Sequence, residues 1–365
     1  MAFANGELSI DGEHTISSVG LKVYRYVPTY TNPQRWSNVP TPVIDFPEMH
    51  GVMPSEGTAE VAISDSTLAH SIRTSKDGKV GIYSLERTSS GNEVWNQKKI
   101  LFSTRGPSLS FGSSVVIAQG SAIAVVSEQG VDERVIIGAP GEGAHGFVYS
   151  YFSPSFTQSE RQVIDSPWDS TVQVKAFGAA IAVAHESIGD TWLAVGAPDT
   201  TRGSVPGMKS GAFAVYRRQS HMGAKWELVC KAEAPQGLDY GEMGRSLAIR
   251  NNHNGEYLVA AGMPIANKVV LFTVTDTNNS GDCELIASLK TDLTVSGLGS
   301  QVGFVGNEVY FSDPTVSNVY YKSSGRLYFY VFCPRETKYQ AWINSFRGRT
   351  LTHNPYAWNS GSLEA

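Results

Sequence analysis

Hydrophobic and aromatic positions in this chain fall into short blocks that recur in a set order. An alternating block, Gly-Phe-Val-Tyr-Ser-Tyr at 146–151, returns as Gly-Ala-Phe-Ala-Val-Tyr at 211–216, Gly-Leu-Lys-Val-Tyr-Arg-Tyr at 20–26 and Gly-Ile-Tyr-Ser-Leu at 81–85. Weaker copies are Val-Val-Leu-Phe-Thr-Val at 269–274 and Gly-Arg-Leu-Tyr-Phe-Tyr at 325–330. With Tyr24, Tyr83, Tyr149, Tyr216, Phe272 and Phe329 taken as equivalent, the intervals are 59, 66, 67, 56 and 57 residues, a mean of 61. Six such units fill 365 residues. Alternation over runs this short predicts β-strands.

Each unit has further parts. A continuous apolar run ending in a turn precedes the aromatic block: Val135-Ile-Ile-Gly-Ala-Pro140, Leu193-Ala-Val-Gly-Ala-Pro198, Val259-Ala-Ala-Gly-Met-Pro264 and the divergent Val309-Tyr-Phe-Ser-Asp-Pro314. Earlier still lie Phe111-Gly-Ser-Ser-Val-Val, Phe177-Gly-Ala-Ala-Ile-Ala, Met243-Gly-Arg-Ser-Leu-Ala and Leu298-Gly-Ser-Gln-Val-Gly. After it comes an amphipathic segment, often with a tryptophan: Trp36, Trp95, Trp226 or Trp342. The unit is therefore four short strands. Small residues suit a crowded inner strand, an unbroken apolar run suits a strand buried on both faces, and alternation ending in an exposed-edge Trp suits the outer half. A four-stranded sheet with two apolar faces must stack on copies of itself, and a β-sandwich needs about 100 residues for each core. The expected fold is one all-β domain over 1–365, a six-bladed β-propeller of four-stranded antiparallel blades, with seven blades as the alternative count.

Composition agrees. Glycine is abundant, 36 residues, while 17% of residues are charged and 10% aromatic, as in short strands joined by tight turns. A net charge of -5 carries no basic surplus for nucleic acid or an anionic membrane. No apolar stretch is long enough to span a bilayer, and the first residues lack a signal peptide's basic and apolar regions. Cys230, Cys283 and Cys333 are expected to be buried thiols, in a fold that does not depend on disulfides.

The order Phe-Gly-x-x-Val, Val-Gly-Ala-Pro, Gly-Ala-x-x-x-Tyr resembles the FG-GAP repeat of integrin α-subunit propellers. It is clearest over about 111–220, where Phe177-Gly178, Gly196-Ala197-Pro198 and Gly211-Ala212 carry it. Many FG-GAP repeats hold calcium on Asp-x-Asp-x-Asp-Gly between the first two strands. The connections 118–134, 185–190 and 251–256 lack three acidic oxygens at that spacing, so no metal site is expected. Asn252, Asn254 and Glu256 come nearest and fit a β-turn better.

Candidate chemistry is thin. The eight histidines form no zinc-binding spacing, and there is no nucleophile elbow or P-loop. Ser75-Lys-Asp-Gly78 approaches a sialidase turn but lacks the spacing and the Trp, so it reads as a hairpin turn. Paired carboxylates for glycoside hydrolysis would meet only in space. No catalytic residue and no cofactor are expected. The recurring Trp and Tyr residues read as packing.

Function is then sought where the repeat is interrupted. Four insertions qualify: 65–79 with His70 and Arg73; 165–175 with Trp168 and Asp169; 199–210 with Asp199, Arg202 and Lys209; and 315–324 with Tyr320, Tyr321 and Lys322. In a propeller, second-to-third-strand loops and blade-to-blade loops emerge on one face. In the family resembled, that face binds partners. Trp168, Asp169, Asp199, Arg202, Tyr320, Tyr321 and Arg73 are the candidate ligand-binding set, since exposed Tyr, Trp and Arg anchor interfaces. The resulting expectation is a non-enzymatic binding or adhesion module, or a structural surface component. It would recognise protein or glycan at a cell or particle surface, without nucleic acid or membrane insertion. The alternative is a carbohydrate-active propeller hydrolase. Tyr339–Ile343 is expected as the sixth unit's outer strand, and 346–358 as a closing segment against the first blade beside residues 7–10.

Overall fold

In the computed structural model the recurring blocks fold as antiparallel meanders. The structure describes residues 2–3, 20–23, 44–45, 60–63, 67–73, 78–90, 93–103, 111–119, 133–152, 155–157, 161–168, 172–185, 190–201, 209–219, 224–236, 238, 240–252, 256–277, 280–290, 297–306, 308–315, 326–331 and 350–351. Sheet one holds β1 (Ala2–Phe3), β2 (Gly20–Val23) and β3 (Ile44–Asp45). Sheet two holds β4 (Val61–Ile63), β5 (Thr67–Arg73), β6 (Gly78–Arg87) and β7 (Glu93–Phe102). Sheet three holds β8 (Ser114–Gln119), β9 (Glu133–Ala139), β10 (Phe147–Phe152) and β11 (Gln162–Asp165). Sheet four holds β12 (Ile181–His185), β13 (Thr191–Ala197), β14 (Ala212–Arg218) and β15 (Glu227–Glu233). Sheet five holds β16 (Leu247–Asn251), β17 (Glu256–Met263), β18 (Lys268–Thr277) and β19 (Ser280–Leu289). Sheet six holds β20 (Val302–Val305), β21 (Glu308–Asp313), β22 (Arg326–Val331) and β23 (Thr350–Leu351). Strand order follows chain order in every sheet, and no helix occurs among the described residues. This is an all-β fold of six antiparallel sheets, five of them four-stranded among the described residues, the sheet number and type expected of a six-bladed β-propeller. The chain divides into two compact units, 1–165 and 166–365.

Why the sheets stack is visible in sheet five. One face of β17 places Tyr257, Val259, Ala261 and Met263 in a core shared with Trp192, Ala194, Phe213 and Val215 of sheet four. Its other face places Ala260 with Val302, Val309 and Phe311 of sheet six. Trp192 stacks on Tyr257 at 4.1 Å, and Phe213 meets Phe272 edge-on at 4.9 Å. Second strands buried on both faces lose water from both, which drives the stacking.

The repeated glycines have a specific task. Gly112, Gly178, Gly244 and Gly299 hold φ of 83, 91, 86 and 86°, a left-handed conformation that disfavours a Cβ. Gly178 and Gly244 donate their N–H to the carbonyls of Gly196 and Gly262 in their own sheets. The carbonyls of Gly244 and Gly299 in turn lie where a Cβ on Gly196 or Gly262 of the preceding sheet would stand. The glycines of Met243-Gly244 and Leu298-Gly299 thus meet those of Gly196-Ala-Pro and Gly262-Met-Pro across neighbouring sheets, and only hydrogen fits between them.

Register revises the repeat. Tyr83, Tyr216 and Phe272 pair with Leu68, Leu193 and Val259. Each partner lies three residues before the glycine position. In sheets three and six that place belongs to Tyr151, opposite Val135, and Tyr330, opposite Val309, rather than to Tyr149 and Phe329. The alternating blocks at 146–151 and 325–330 offer two rings two residues apart, and only pairing chooses between them. A register shift immediately precedes Tyr83, Tyr216 and Phe272, where a bulge bends the outer half.

Three further expectations change. Residues 67–73, taken for a loop insertion, are the second strand of sheet two, with Ser71 where sheets three to five have glycine and His70 only 4% exposed. Trp95 and Trp226 are buried, as their reading as packing residues expects, and the Arg218 guanidinium lies 5.9 Å from the Trp226 ring. Cys230 and Cys283 form a disulfide with Cα atoms 5.8 Å apart, so they are not free thiols. Thr350 and Leu351 pair with Tyr328 and Leu327 as the outer strand of sheet six. Residues 339–343, expected there, and residues 7–10 and Cys333 lie outside the described residues, as do Trp36 and Trp342.

Candidate functional site

The best-formed exposed constellation joins the second-to-third-strand loop of sheet four to the linker between sheets four and five. Pro198 ends β13, and Thr200 closes the turn by donating its N–H and Oγ1 to the Ala197 carbonyl at 3.2 and 2.7 Å. The loop base is cinched by Ser210 Oγ and Gly211 N–H, both donating to Thr200 O. The linker then docks: Glu242 N–H donates to Lys209 O and Met243 N–H to Ser210 O, each at 3.0 Å.

This docking brings two carboxylates to one ammonium. Lys209 Nζ stands 2.9 Å from Asp199 Oδ1 and 4.0 Å from Glu242 Oε1, with the three side chains 47, 28 and 18% exposed. Glu242 has φ of 54°, but Ala176, at the same place in the preceding linker, has 61°, so the left-handed turn belongs to the repeat. Beside Glu242, Tyr240 is 57% exposed, and Ile265, in the facing turn of sheet five, is 60% exposed. Gly241 binds these parts together, since a Cβ there would run into Met263 and Ala266 of that turn. The result is an aromatic and an aliphatic side chain open to solvent beside a carboxylate pair.

Other loop–linker contacts follow the same plan but are structural. Thr201 N–H donates to Gln173 O at 3.0 Å. Asn267 Oδ1 accepts from Gly297 and Leu298 N–H at 2.7 and 3.3 Å. In the first unit Glu142 Oε1 accepts from Ser103 Oγ at 2.7 Å and Tyr149 OH at 2.6 Å. Glu142 is only 5% exposed and Tyr149 fully buried, so this acid fastens the linker. Burial pushes the nearby Tyr151 phenol up to about 12, against the favourable Arg161 charge and with that of Glu142.

Of the candidate ligand-binding residues, Asp199 is in the exposed constellation. Trp168 is buried, 6.5 Å edge-on from Phe177, with Lys231 Nζ over its ring and donating to Pro167 O. It packs a sheet and is no exposed anchor. Arg73 ends β5; its side chain, and Asp169, Arg202, Tyr320 and Tyr321, lie outside the described residues. Glu242, Tyr240 and Ile265 were missed, because they sit in linkers and turns of ordinary length. Among the described residues no three His, Cys, Asp or Glu side chains gather around a metal-sized space. Asn252 N–H donates to Glu256 O at 2.9 Å, and residues 253–255 of that connection lie outside the described residues.

The chain is similar to solved structures of the parainfluenza virus 5 hemagglutinin-neuraminidase. One, with the ligand DANA, is 11% identical with a TM-score of 0.38, over 76% of this chain and 77% of that one. A second, at pH 8.0, is 10% identical with a TM-score of 0.36, over 76 and 78%. The ectodomain structure is 10% identical with a TM-score of 0.41, over 76 and 71%. No family model matches the chain, and no curated protein does. The neighbours are neuraminidases by name, and this corrects the expectation that the chain is not an enzyme. That expectation rested on missing sequence motifs, whereas a propeller's reacting groups meet only in space. No helix among the described residues is long and apolar enough to cross a membrane.

Proposed function

We propose that this propeller is carbohydrate-active, binding glycan on the face formed by the second-to-third-strand loop of sheet four and the following linker. The observation that carries the reading is the Asp199–Lys209–Glu242 cluster beside exposed Tyr240 and Ile265. A sugar ring presents a C–H face that packs on Tyr240 and hydroxyls that carboxylates and an ammonium bond. Two carboxylates held on one ammonium also lie within the sum of its two distances of each other, compatible with the roughly 5–9.5 Å used in glycoside hydrolysis. In that chemistry one carboxyl protonates the leaving oxygen, and the other acts as nucleophile or activates water. Asp199, more tightly held by Lys209, is assigned the second role and Glu242 the first. We also propose an FG-GAP-type repeat; the shared left-handed glycines and their approach to the Gly-Ala-Pro phrase support it.

The test is a glycan array together with a panel of chromogenic glycosides, on the full chain and on Tyr240→Ala, Asp199→Asn and Glu242→Gln. Tyr240→Ala should lose binding. The two carboxylate variants should lose hydrolysis roughly 100-fold or more while retaining binding. A chain that retains no glycan and cleaves no glycoside refutes the reading; binding without cleavage refutes the catalytic assignment alone.

A further inference from the structure

We infer that the Cys230–Cys283 disulfide is a redox-sensitive latch on the outer edge of sheets four and five, and that the chain matures where thiols are oxidised. The bond joins β15 to β19, the fourth strands of neighbouring sheets, across 53 residues of sequence. Inward of it the two sheets are held by an extensive core, with Trp192 on Tyr257 and Phe213 on Phe272. At the edge that core is thin. Leu228 and Leu285 are 46 and 43% exposed, and Asp282, Glu284 and Ser288 are exposed along β19. The strands nevertheless approach closely, since a Cβ on Gly281 would collide with Val229. A covalent bond therefore holds the edge where burial holds little.

Disulfides with this reach persist in oxidising compartments and are uncommon where glutathione and thioredoxin keep thiols reduced. Cys283 is half-exposed and Cys230 is 6% exposed, so an attacking thiolate meets the Cys283 sulfur first. That attack breaks the S–S bond, and Cys230 leaves as a thiolate and takes a proton. A second thiol of the reductant resolves the mixed disulfide and frees Cys283 as a thiol. Two electrons and two protons enter the protein, and the dithiol reductant departs as its own disulfide. The outer strands are then free to part while the inner strands remain packed.

The experiment has two readouts on the full chain folded under oxidising conditions. Alkylation after denaturation should label one of the three cysteines without reductant and all three after reduction. Hydrogen exchange of the native protein with a phosphine reductant should quicken roughly tenfold in β15 and β19, with β13, β14 and β17 unchanged. The double variant Cys230→Ser/Cys283→Ser should exchange like the reduced protein and ignore the reductant; if it fails to fold, the reduced wild type supplies the same comparison. Three labelled cysteines without reductant, unchanged exchange on reduction, or loss of protection throughout sheets four and five would each overturn the inference.

Discussion

His70 offers a quantitative test of the reassigned second strand of sheet two. Its backbone is paired on both sides, to Val61 in β4 and Gly81 in β6, and its neighbours Leu68, Ala69 and Ser71 are buried. Burial lowers its pKa from 6.5 to about 4, because the imidazolium would lose its water. The unfolded chain takes up a proton near 6.5, whereas the folded chain resists it until about 4. Stability from the neutral ring is thus complete above the unfolded value and drains away as pH falls from about 6.5 to about 4. At 1.36 kcal/mol per pH unit this gap is worth on the order of 3 kcal/mol. Pairing aligns His70 with Ile137, Val195 and Ala261 of the other sheets, so His70→Val removes the titrating group with a residue the repeat already accepts. Urea unfolding at pH steps from 7.5 to 4.5, followed by tryptophan fluorescence, should show the parent losing about 2–3 kcal/mol more than the variant. Parallel curves, or an imidazole titrating near 6.5 by NMR in the folded protein, would refute the argument.

Three other substitutions probe the scaffold by urea midpoint. Gly196→Ala drives a Cβ into the Gly244 carbonyl and should cost about 3 kcal/mol, whereas Gly306→Ala meets open space at φ 56° and should cost about 1 kcal/mol; equal effects would sink the close-approach explanation. Asn267→Ala releases two linker N–H groups and should cost about 2 kcal/mol, with Asn267→Asp close to the parent. Trp168→Ala should cost about 3–4 kcal/mol without altering glycan retention, because its ring is buried; lost retention at unchanged stability would restore it as a binding residue.

Strands and turns were legible because their causes are local. Alternation, the apolar runs before Gly-Ala-Pro and the left-handed Phe-Gly turn all act through residues next to one another. The meander order of sheets three to five therefore matches the reading of the chain. Sheet two was only half legible: Thr67–Arg73 has Ser71 in place of glycine and a histidine in an apolar run, and its burial comes from neighbours on both sides. The choice of Tyr151 over Tyr149 likewise waited for pairing, since both residues satisfy the same local pattern.

What remained for tertiary structure shares one physical origin. Asp199 meets Glu242 on Lys209 because the linker after sheet four folds back along the loop base at Lys209 and Ser210. Cys230 meets Cys283 because stacking sets two fourth strands side by side. Trp168 turned inward because Phe177 offered an apolar partner, although its loop composition suited an exposed anchor equally well. The sequence by itself determined the repeat and the strand order of sheets three to five, through short-range backbone preference and periodic burial. Which side chains share a site was decided only when the sheets stacked, since packing between sheets fixes distances that no local pattern encodes.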